Sequence, residues 1–412
     1  MKYGLIGEKL GHSFSAEIHP MIADYEYELT EISRDGFDAF MKARDFLGIN
    51  VTIPYKEAVI PYLDEIDENA RKIGAVNTIV NKSGKLYGYN TDFYGMRALI
   101  SRARISLENK KVVILGTGGT SKTAKAVAES LGAKEILKVS RREGDGAITY
   151  DELYLSHSDA RMIINTTPVG MFPNVKDTPV DLSHFDKLEG VIDAVYNPLR
   201  TRLSEDAAQK GAVACGGLYM LVAQAVGAAE LFLGHPLPEG TSDEVFRRIA
   251  PKKENIVLIG MPSSGKTTVG KLIAAMTGRD FIDTDEMIVK RTGMDIPTIF
   301  NSFGESRFRE LECEAVSEAG SRGGRVIATG GGAVLRRENV LLLKQNGRLF
   351  FLDRPLHLLV PTEDRPLGKS REDIEKRYAE RYGIYTASAD ETVIADSAPE
   401  VVANTVLELF FK

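Results

Sequence analysis

Two glycine loops, Gly116-Thr-Gly-Gly-Thr-Ser121 and Gly260-Met-Pro-Ser-Ser-Gly-Lys-Thr267, each stand between a short apolar run and an amphipathic stretch. A strand that turns at once into a helix, through residues that let backbone N–H groups converge, restricts both regions to α/β units with an anion at the turn. Lys111-Val-Val-Ile-Leu115 leads into the first loop, and Ala124, Val127, Ala128 and Leu131 recur at helical spacing until Gly132. This pattern predicts the opening of a dinucleotide-binding unit. Ile256-Val-Leu-Ile259 leads into the second loop, and Val269, Leu272, Ile273 and Met276 repeat the spacing up to Gly278. Here the pattern predicts a Walker A phosphate loop.

A chain of 412 residues is long enough for two or three domain cores. Charged residues make up 27 % and the formal net charge is −6, with no basic block, so nucleic acid is not expected as a partner. No apolar run reaches the roughly 18 residues a membrane-spanning helix needs, and the N-terminal residues lack a long apolar core. A cytoplasmic protein is expected. Cys215 and Cys313 have no metal-ligand or disulfide spacing.

Strand-like runs (3–6, 27–32, 49–53) alternate with helical ones (16–25, 37–46), predicting one α/β unit over 1–100, to which residues 219–240 return. A second unit is expected over 101–218, a linker over 241–253 after the Gly234 to Gly240 punctuation, and a third unit over 254–412. The expected fold class is α/β throughout.

Residues 1–234 resemble shikimate dehydrogenase through Gly11-His-Ser-Phe-Ser15, Asn50-Val-Thr-Ile-Pro-Tyr-Lys56, Gly74-Ala-Val-Asn-Thr78, Gly88-Tyr-Asn-Thr-Asp92, the first glycine loop and Gly216-Gly-Leu-Tyr-Met-Leu-Val-Ala-Gln224. Residues 254–412 resemble shikimate kinase through the second loop, Asp283-Thr-Asp285, Gly304-Glu-Ser-Arg-Phe-Arg309, Gly330-Gly-Gly332 and Arg365-Pro-Leu367. The resemblance implies a substrate-binding α/β domain, a Rossmann-like NADP domain and a P-loop domain like those of nucleoside monophosphate kinases.

Ser13 and Ser15 could offer two hydroxyls to a carboxylate beside free N–H groups; a serine serving only as helix N-cap is the alternative. The resemblance puts Asn50, Thr52, Asn77, Tyr196, Gly217 and Gln224 on the substrate ring. Lys56 and Asp92 are the expected catalytic pair, because ketone reduction needs a proton donor within hydrogen-bond reach of the carbonyl oxygen. Gly116, Gly118, Gly119, Thr120, Ser121 and Thr166 are expected around the cofactor. An NAD site places an acid about 20 residues beyond the glycines. Ser140-Arg-Arg142 stands there instead, and Arg141 and Arg142 suit the extra phosphate of NADP.

In the C-terminal part, Gly260, Ser264, Gly265, Lys266, Thr267 and Thr268 are expected to cradle ATP, with Thr267 toward Mg²⁺, and the resemblance assigns Asp283 to the water shell of that ion. Strand alternation would turn Asp283 and Asp285 to one side. The resemblance makes Asp285 the substrate orienter and general base, Arg309 and Arg381 the clamp for a carboxylate, Gly331 a substrate contact and Arg365 a lid residue on ATP. Shikimate kinases usually carry glycine where Ser263 stands.

The expectation is a bifunctional enzyme that reduces 3-dehydroshikimate with NADPH and phosphorylates the resulting shikimate with MgATP. Two alternatives stay open: one half serves only as a binding or regulatory module, or the dehydrogenase half prefers quinate or NAD. Oligomeric state is not read from the sequence.

Overall fold

The computed structural model describes residues 2–11, 13–142, 144, 146–360 and 370–412. The chain divides into two compact units. One comprises Met1–Met171, Asp177–Tyr196 and Leu203–Ile249; the other comprises Phe172–Lys176, Asn197–Arg202 and Ala250–Lys412.

The first unit contains two sheets. One holds β1 (Tyr3–Gly7), β2 (Tyr27–Glu31), β3 (Gly48–Val51), β4 (Glu65–Ile66), β5 (Thr78–Lys82) and β6 (Lys85–Tyr89), in the order β2-β1-β3-β5-β6-β4. β1 pairs in parallel with both β2 and β3, whereas β5 runs antiparallel to β3 and β6. In that register Asn50 lies opposite Thr78, and Thr78 opposite Tyr89. The three motifs around Asn50, Asn77 and Asn90 therefore meet at one end of three neighbouring inner strands.

The second sheet holds β7 (Lys111–Leu115), β8 (Glu135–Val139), β9 (Ala147–Ile148), β10 (Met162–Asn165), β11 (Gly190–Asp193) and β12 (Val213–Cys215). It is parallel throughout, in the order β12-β11-β10-β7-β8-β9. Strand order reverses on either side of β7, which makes its carboxyl end the switch point where open α/β sheets bind ligands. The apolar runs Val112–Leu115 and Ile163–Ile164 are wholly buried, as expected for strands covered by helices on both faces.

The helices Thr91–Arg102 and Leu218–Leu233 pack against each other, and Phe93, Met96, Leu99, Tyr219 and Met220 share one core with Val112 and Ile114. Residues 241–253, read as a linker from their polar composition, form a helix instead, Thr241–Lys253. Val245 and Ile249 are buried, and Phe246 meets Tyr219 edge-on at 5.3 Å. Three apolar residues on one face suffice to seat this helix on the first unit.

The second unit is built on β13 (Asn255–Ile259), β14 (Phe281–Asp283), β15 (Val326–Ala328), β16 (Gly347–Asp353) and β17 (Glu391–Ile394), all parallel, in the order β14-β15-β13-β16-β17. Ile256–Ile259 are fully buried at its centre. The phosphate loop therefore emerges from the middle of the sheet. Among the described residues no helix is long and apolar enough to cross a membrane.

Candidate active sites

In the first unit, Lys56 follows β3 and Asp92 lies in the first turn of the helix Thr91–Arg102, whose N-cap Asn90 accepts a hydrogen bond from Phe93 N. The two side chains meet, Lys56 Nζ donating to Asp92 Oδ2 at 2.6 Å. Asp92 is buried while the lysine keeps one-fifth of its side chain exposed. Such a pair holds the ammonium aimed while leaving it reachable.

Asn77 has its hydrogen-bonding capacity largely committed. Its Oδ1 accepts from Thr91 N at 2.7 Å and from the Thr78 and Thr91 hydroxyls at 3.2 Å, while Nδ2 donates to Gln224 Oε1 at 3.3 Å. Only its second N–H is left for a ligand, so Asn77 can act there as a donor and not as an acceptor.

Neither serine occupies the N-cap position, though Ser13 still meets the first N–H of the helix. Phe14 occupies the N-cap of the helix Ser15–Ile22 without a side-chain cap, and Ser13 Oγ accepts from Ser15 N at 3.2 Å. Phe14 packs edge-on against Tyr196 at 5.2 Å, and burial pushes the Tyr196 phenol above its ordinary pKa. Thr52, half-buried, follows β3 directly. A Cβ at Gly217 would run into the Ala194 carbonyl, so this glycine lets two chain segments touch.

At the end of β7, Gly116 has φ 107°, and a Cβ there would come within 2.9 Å of Thr166 Oγ1, which itself donates to Leu115 O at 2.6 Å. Around Gly118 and Gly119, by contrast, a Cβ would meet nothing within 4 Å, leaving open space over the start of the helix Gly119–Ser130. A tight turn followed by an open helix N-terminus fits a pyrophosphate. Ser121 Oγ is buried in that first turn without a hydrogen-bond partner among the described residues. Beyond β8, Arg142 N donates to Ser140 Oγ at 3.4 Å, and the Arg141 and Arg142 side chains are exposed.

In the second unit, Lys266 opens the helix Lys266–Thr277 and folds back into its own loop, donating to Gly260 O at 3.0 Å and Met261 O at 2.8 Å. Ser264 Oγ lies 3.5 Å from the same ammonium. Ser263 occupies the left-handed region at φ 64° and donates to Val360 O at 3.0 Å. A glycine would enter this conformation more readily. Thr267 Oγ1 donates to Asp283 Oδ2 at 2.8 Å, uniting the two expected Mg²⁺ contacts.

Alternation along a strand is not what brings Asp283 and Asp285 together. Asp283 ends β14 and caps the helix Thr284–Thr292, its Oδ1 accepting from Asp285 N at 2.9 Å and Glu286 N at 3.4 Å. Asp285 is the second residue of that helix, so a strand-to-helix corner delivers both carboxylates. Both line a cavity of about 310 Å³ with Thr267, Arg309, Glu312 and Arg381.

The cavity floor is the glycine triplet. A Cβ at Gly330 would collide with Asp285, one at Gly331 would come within 2.8 Å of Pro262, and one at Gly332 would strike the Arg309 guanidinium. The triplet thus provides room for a carboxylate, the phosphate loop and a cation. Arg381 Nη1 and Tyr385 Oη both donate to Gly331 O, at 3.2 and 2.5 Å.

Arg309 is already paired, with Glu312 Oε2 at 2.8 Å and with Glu305 Oε1 at 3.0 Å. Glu312 was not singled out from the sequence. It lies fully buried, and its other oxygen, Oε1, has no hydrogen-bond partner among the described residues. Burial pushes its carboxyl above the usual range, Arg309 opposes that rise and Asp285 adds to it. The i, i+3 spacing from Arg309 to Glu312 was the available signal. Arg365 lies outside the described residues.

The geometry defines a dinucleotide-type α/β unit with an ion-paired lysine and a P-loop unit with an acid-and-arginine cavity. The family model for the shikimate dehydrogenase substrate binding domain matches residues 5–79, and that for shikimate kinase matches residues 262–410. A shikimate dehydrogenase (NADP(+)) of Clostridium perfringens is 37 % identical over 264 residues, covering 60 % of this chain and 97 % of its own. Among solved structures, shikimate dehydrogenase 1 of Peptoclostridium difficile is 36 % identical with a TM-score of 0.56, covering 60 % of this chain and 98 % of its own. The Thermus thermophilus shikimate 5-dehydrogenase, solved in complex with NADP(H) and shikimate, is 27 % identical with a TM-score of 0.55, covering 60 % of this chain and 99 % of its own.

The chain belongs to the shikimate dehydrogenase family and carries a shikimate kinase domain behind it. It is a bifunctional enzyme of the shikimate pathway.

Proposed function

We propose that the first unit reduces 3-dehydroshikimate to shikimate and that the second phosphorylates the hydroxyl so formed. The observation that carries this reading is the ion pair Lys56–Asp92 at 2.6 Å beside Asn77 and Gln224, in one chain with a Walker lysine above a cavity lined by two acids and two arginines.

In the first site NADPH, when bound, supplies the hydride. Lys56 donates the proton to the carbonyl oxygen and regains one from solvent, while Asp92 keeps the ammonium aimed. Ser13 and Ser15 would hold the substrate carboxylate, and Asn50, Thr52, Asn77, Gln224 and Tyr196 would hold the ring. Gly116 to Ser121 and Thr166 would seat the pyrophosphate, with Ser140, Arg141 and Arg142 on the 2′-phosphate, whose charge calls for cations.

In the second site MgATP, when bound, supplies the phosphoryl group. Thr267 and Asp283 would hold the metal, directly or through water, which suits an ion that keeps much of its hydration. Lys266 and the loop N–H groups offset charge on the phosphates. Asp285 orients the acceptor hydroxyl and takes its proton, while Arg309 and Arg381 pair with the substrate carboxylate. Glu312, held by Arg309, sets the position of that guanidinium. The partners are these small acids and their cofactors, and the compartment is the cytoplasm.

A coupled assay with 3-dehydroshikimate, NADPH and MgATP tests the reading. NADPH consumption with stoichiometric appearance of shikimate 3-phosphate is expected. Consumption without phosphorylated product would refute the second half, and phosphorylation of supplied shikimate without NADPH turnover would refute the first.

A further inference from the structure

Behind Asn50 and Ser15 lies a group of rings to which the reaction assigns no part. His19 is buried and stacks flat on Tyr27, with centroids 3.6 Å apart and planes 8° apart. Its Nδ1 shares a 2.6 Å hydrogen bond with Tyr25 Oη, and Tyr3 and Phe232 enclose the group. A ring packed on this many sides has one orientation, so its hydroxyl is a fixed point.

The Tyr27 hydroxyl donates to Asn50 Oδ1 at 2.7 Å. The Ser15 side chain also lies within hydrogen-bond reach of that hydroxyl. Asn50 Nδ2 is directed away, toward Thr78 Oγ1 at 3.0 Å and Asn77 O at 3.4 Å. Turning the amide over would set its oxygen against the Asn77 carbonyl, two acceptors without a proton between them. The orientation is therefore determined by its neighbours.

A phenol has a single proton, and here Asn50 takes it. Two consequences follow. Asn50 can meet a ring hydroxyl only through the remaining lone pair of Oδ1, as an acceptor. Ser15 can meet the phenol only as a donor, so the phenol and a ligand anion compete for its single proton. We infer that Tyr27, backed by His19, is a positioning and specificity residue of the first site, fixing Asn50 as an acceptor for a ring hydroxyl. Ligands that present a hydroxyl to Asn50 are favoured over those that present a carbonyl or an ether there. The inference rests on the reading of this site as the dehydrogenase site.

The test is initial-rate kinetics on the full chain, varying 3-dehydroshikimate and NADPH separately. Tyr27→Phe removes one oxygen and retains the stacked ring. It is expected to raise the KM for 3-dehydroshikimate about tenfold, the scale of one hydrogen bond in a site. kcat should change less than about threefold and the KM for NADPH should not move, because neither the proton donor nor the cofactor is touched.

Tyr25→Phe removes a hydroxyl from the same cluster without reaching Asn50 or Ser15, and should leave all three constants near their original values. In an Asn50→Ala background, adding Tyr27→Phe should cost clearly less than tenfold, since the two residues act as one unit. An unchanged KM in Tyr27→Phe, an equal rise in Tyr25→Phe, or full additivity with Asn50→Ala would each overturn the assignment while leaving the dehydrogenase reading intact. If the unsubstituted chain failed to turn over 3-dehydroshikimate, both would fall together.

Discussion

Lys56 and Lys266 are the same residue type at the proposed reactive centres of the two units, yet they are held in opposite ways. Lys56 faces a carboxylate, Asp92 Oδ2 at 2.6 Å, whereas Lys266 is buried on two backbone carbonyls of its own loop. A carboxylate can accept and return a proton, so the first arrangement suits proton transfer. Carbonyl oxygens cannot, so the second arrangement suits an ammonium aimed at phosphate oxygens. The surroundings, more than the side chain, decide which chemistry a lysine performs.

That contrast is most easily broken at Lys266. Lys266→Ala should lower phosphorylation of shikimate by about 10⁴-fold, within the range reported for single cations that neutralise phosphoryl-transfer charge, and leave NADPH oxidation untouched. Separate assays of the two activities on one preparation check this. A loss below tenfold would mean that the lysine is a structural tie of the loop. Lys56→Ala should lower the dehydrogenase kcat by about 10³-fold, in keeping with removal of a general acid, with the kinase unaffected. A loss of the same size in both activities would instead indicate misfolding.

A smaller effect is expected at the cofactor side of the first unit. Replacing Arg141 and Arg142 together by alanine should reduce kcat/KM for NADPH by about tenfold to a hundredfold, the scale of one or two charge-assisted contacts, with little change for NADH. Parallel titrations with the two nucleotides check it. Equal loss with both would place the arginines away from the 2′-phosphate.

The parts legible in the sequence are those whose signal is local. The glycine loops, the apolar strands before them and the Asn50 to Lys56 run are contiguous, and β1, β3, β7 and β13 form where the apolar runs stand. Features that depend on contacts between distant residues were not legible. Thr241–Lys253 is polar and contains Pro251, so its buried Val245 and Ile249 gave too short a periodic signal to mark a helix. Glu312 looked like one more acid on a charged stretch, and only its packing beside Asp285 and Arg309 makes it part of the second site. His19 and Tyr27 carry no motif, because their role depends on a stack between a helix and a strand.

The smallest of the effects separates the two units by pH. Burial lowers the His19 pKa from 6.5 to about 3, so the folded first unit keeps this ring neutral where the unfolded chain would protonate it. As pH falls through 6.5 the unfolded state binds a proton that the folded state does not, and stability is lost progressively until about pH 3. Between pH 7.5 and 5.5 the loss from this one group is about 1.4 kcal/mol. In the second unit burial raises Glu312, and the sign reverses: its folded form holds a proton more tightly than the unfolded chain, so that cost appears as pH rises above 4.5 and acidification relieves it. Urea inactivation followed by NADPH oxidation and by shikimate phosphorylation, at pH 7.5, 6.5 and 5.5, reads the two units in one sample. His19→Phe keeps a ring against Tyr27 but removes the titration, and should flatten the acid loss of the dehydrogenase midpoint while leaving that of the kinase unchanged. Parallel acid slopes in the variant and the unsubstituted chain would show that His19 is protonated without opening the fold, and that acid sensitivity of the first unit arises elsewhere.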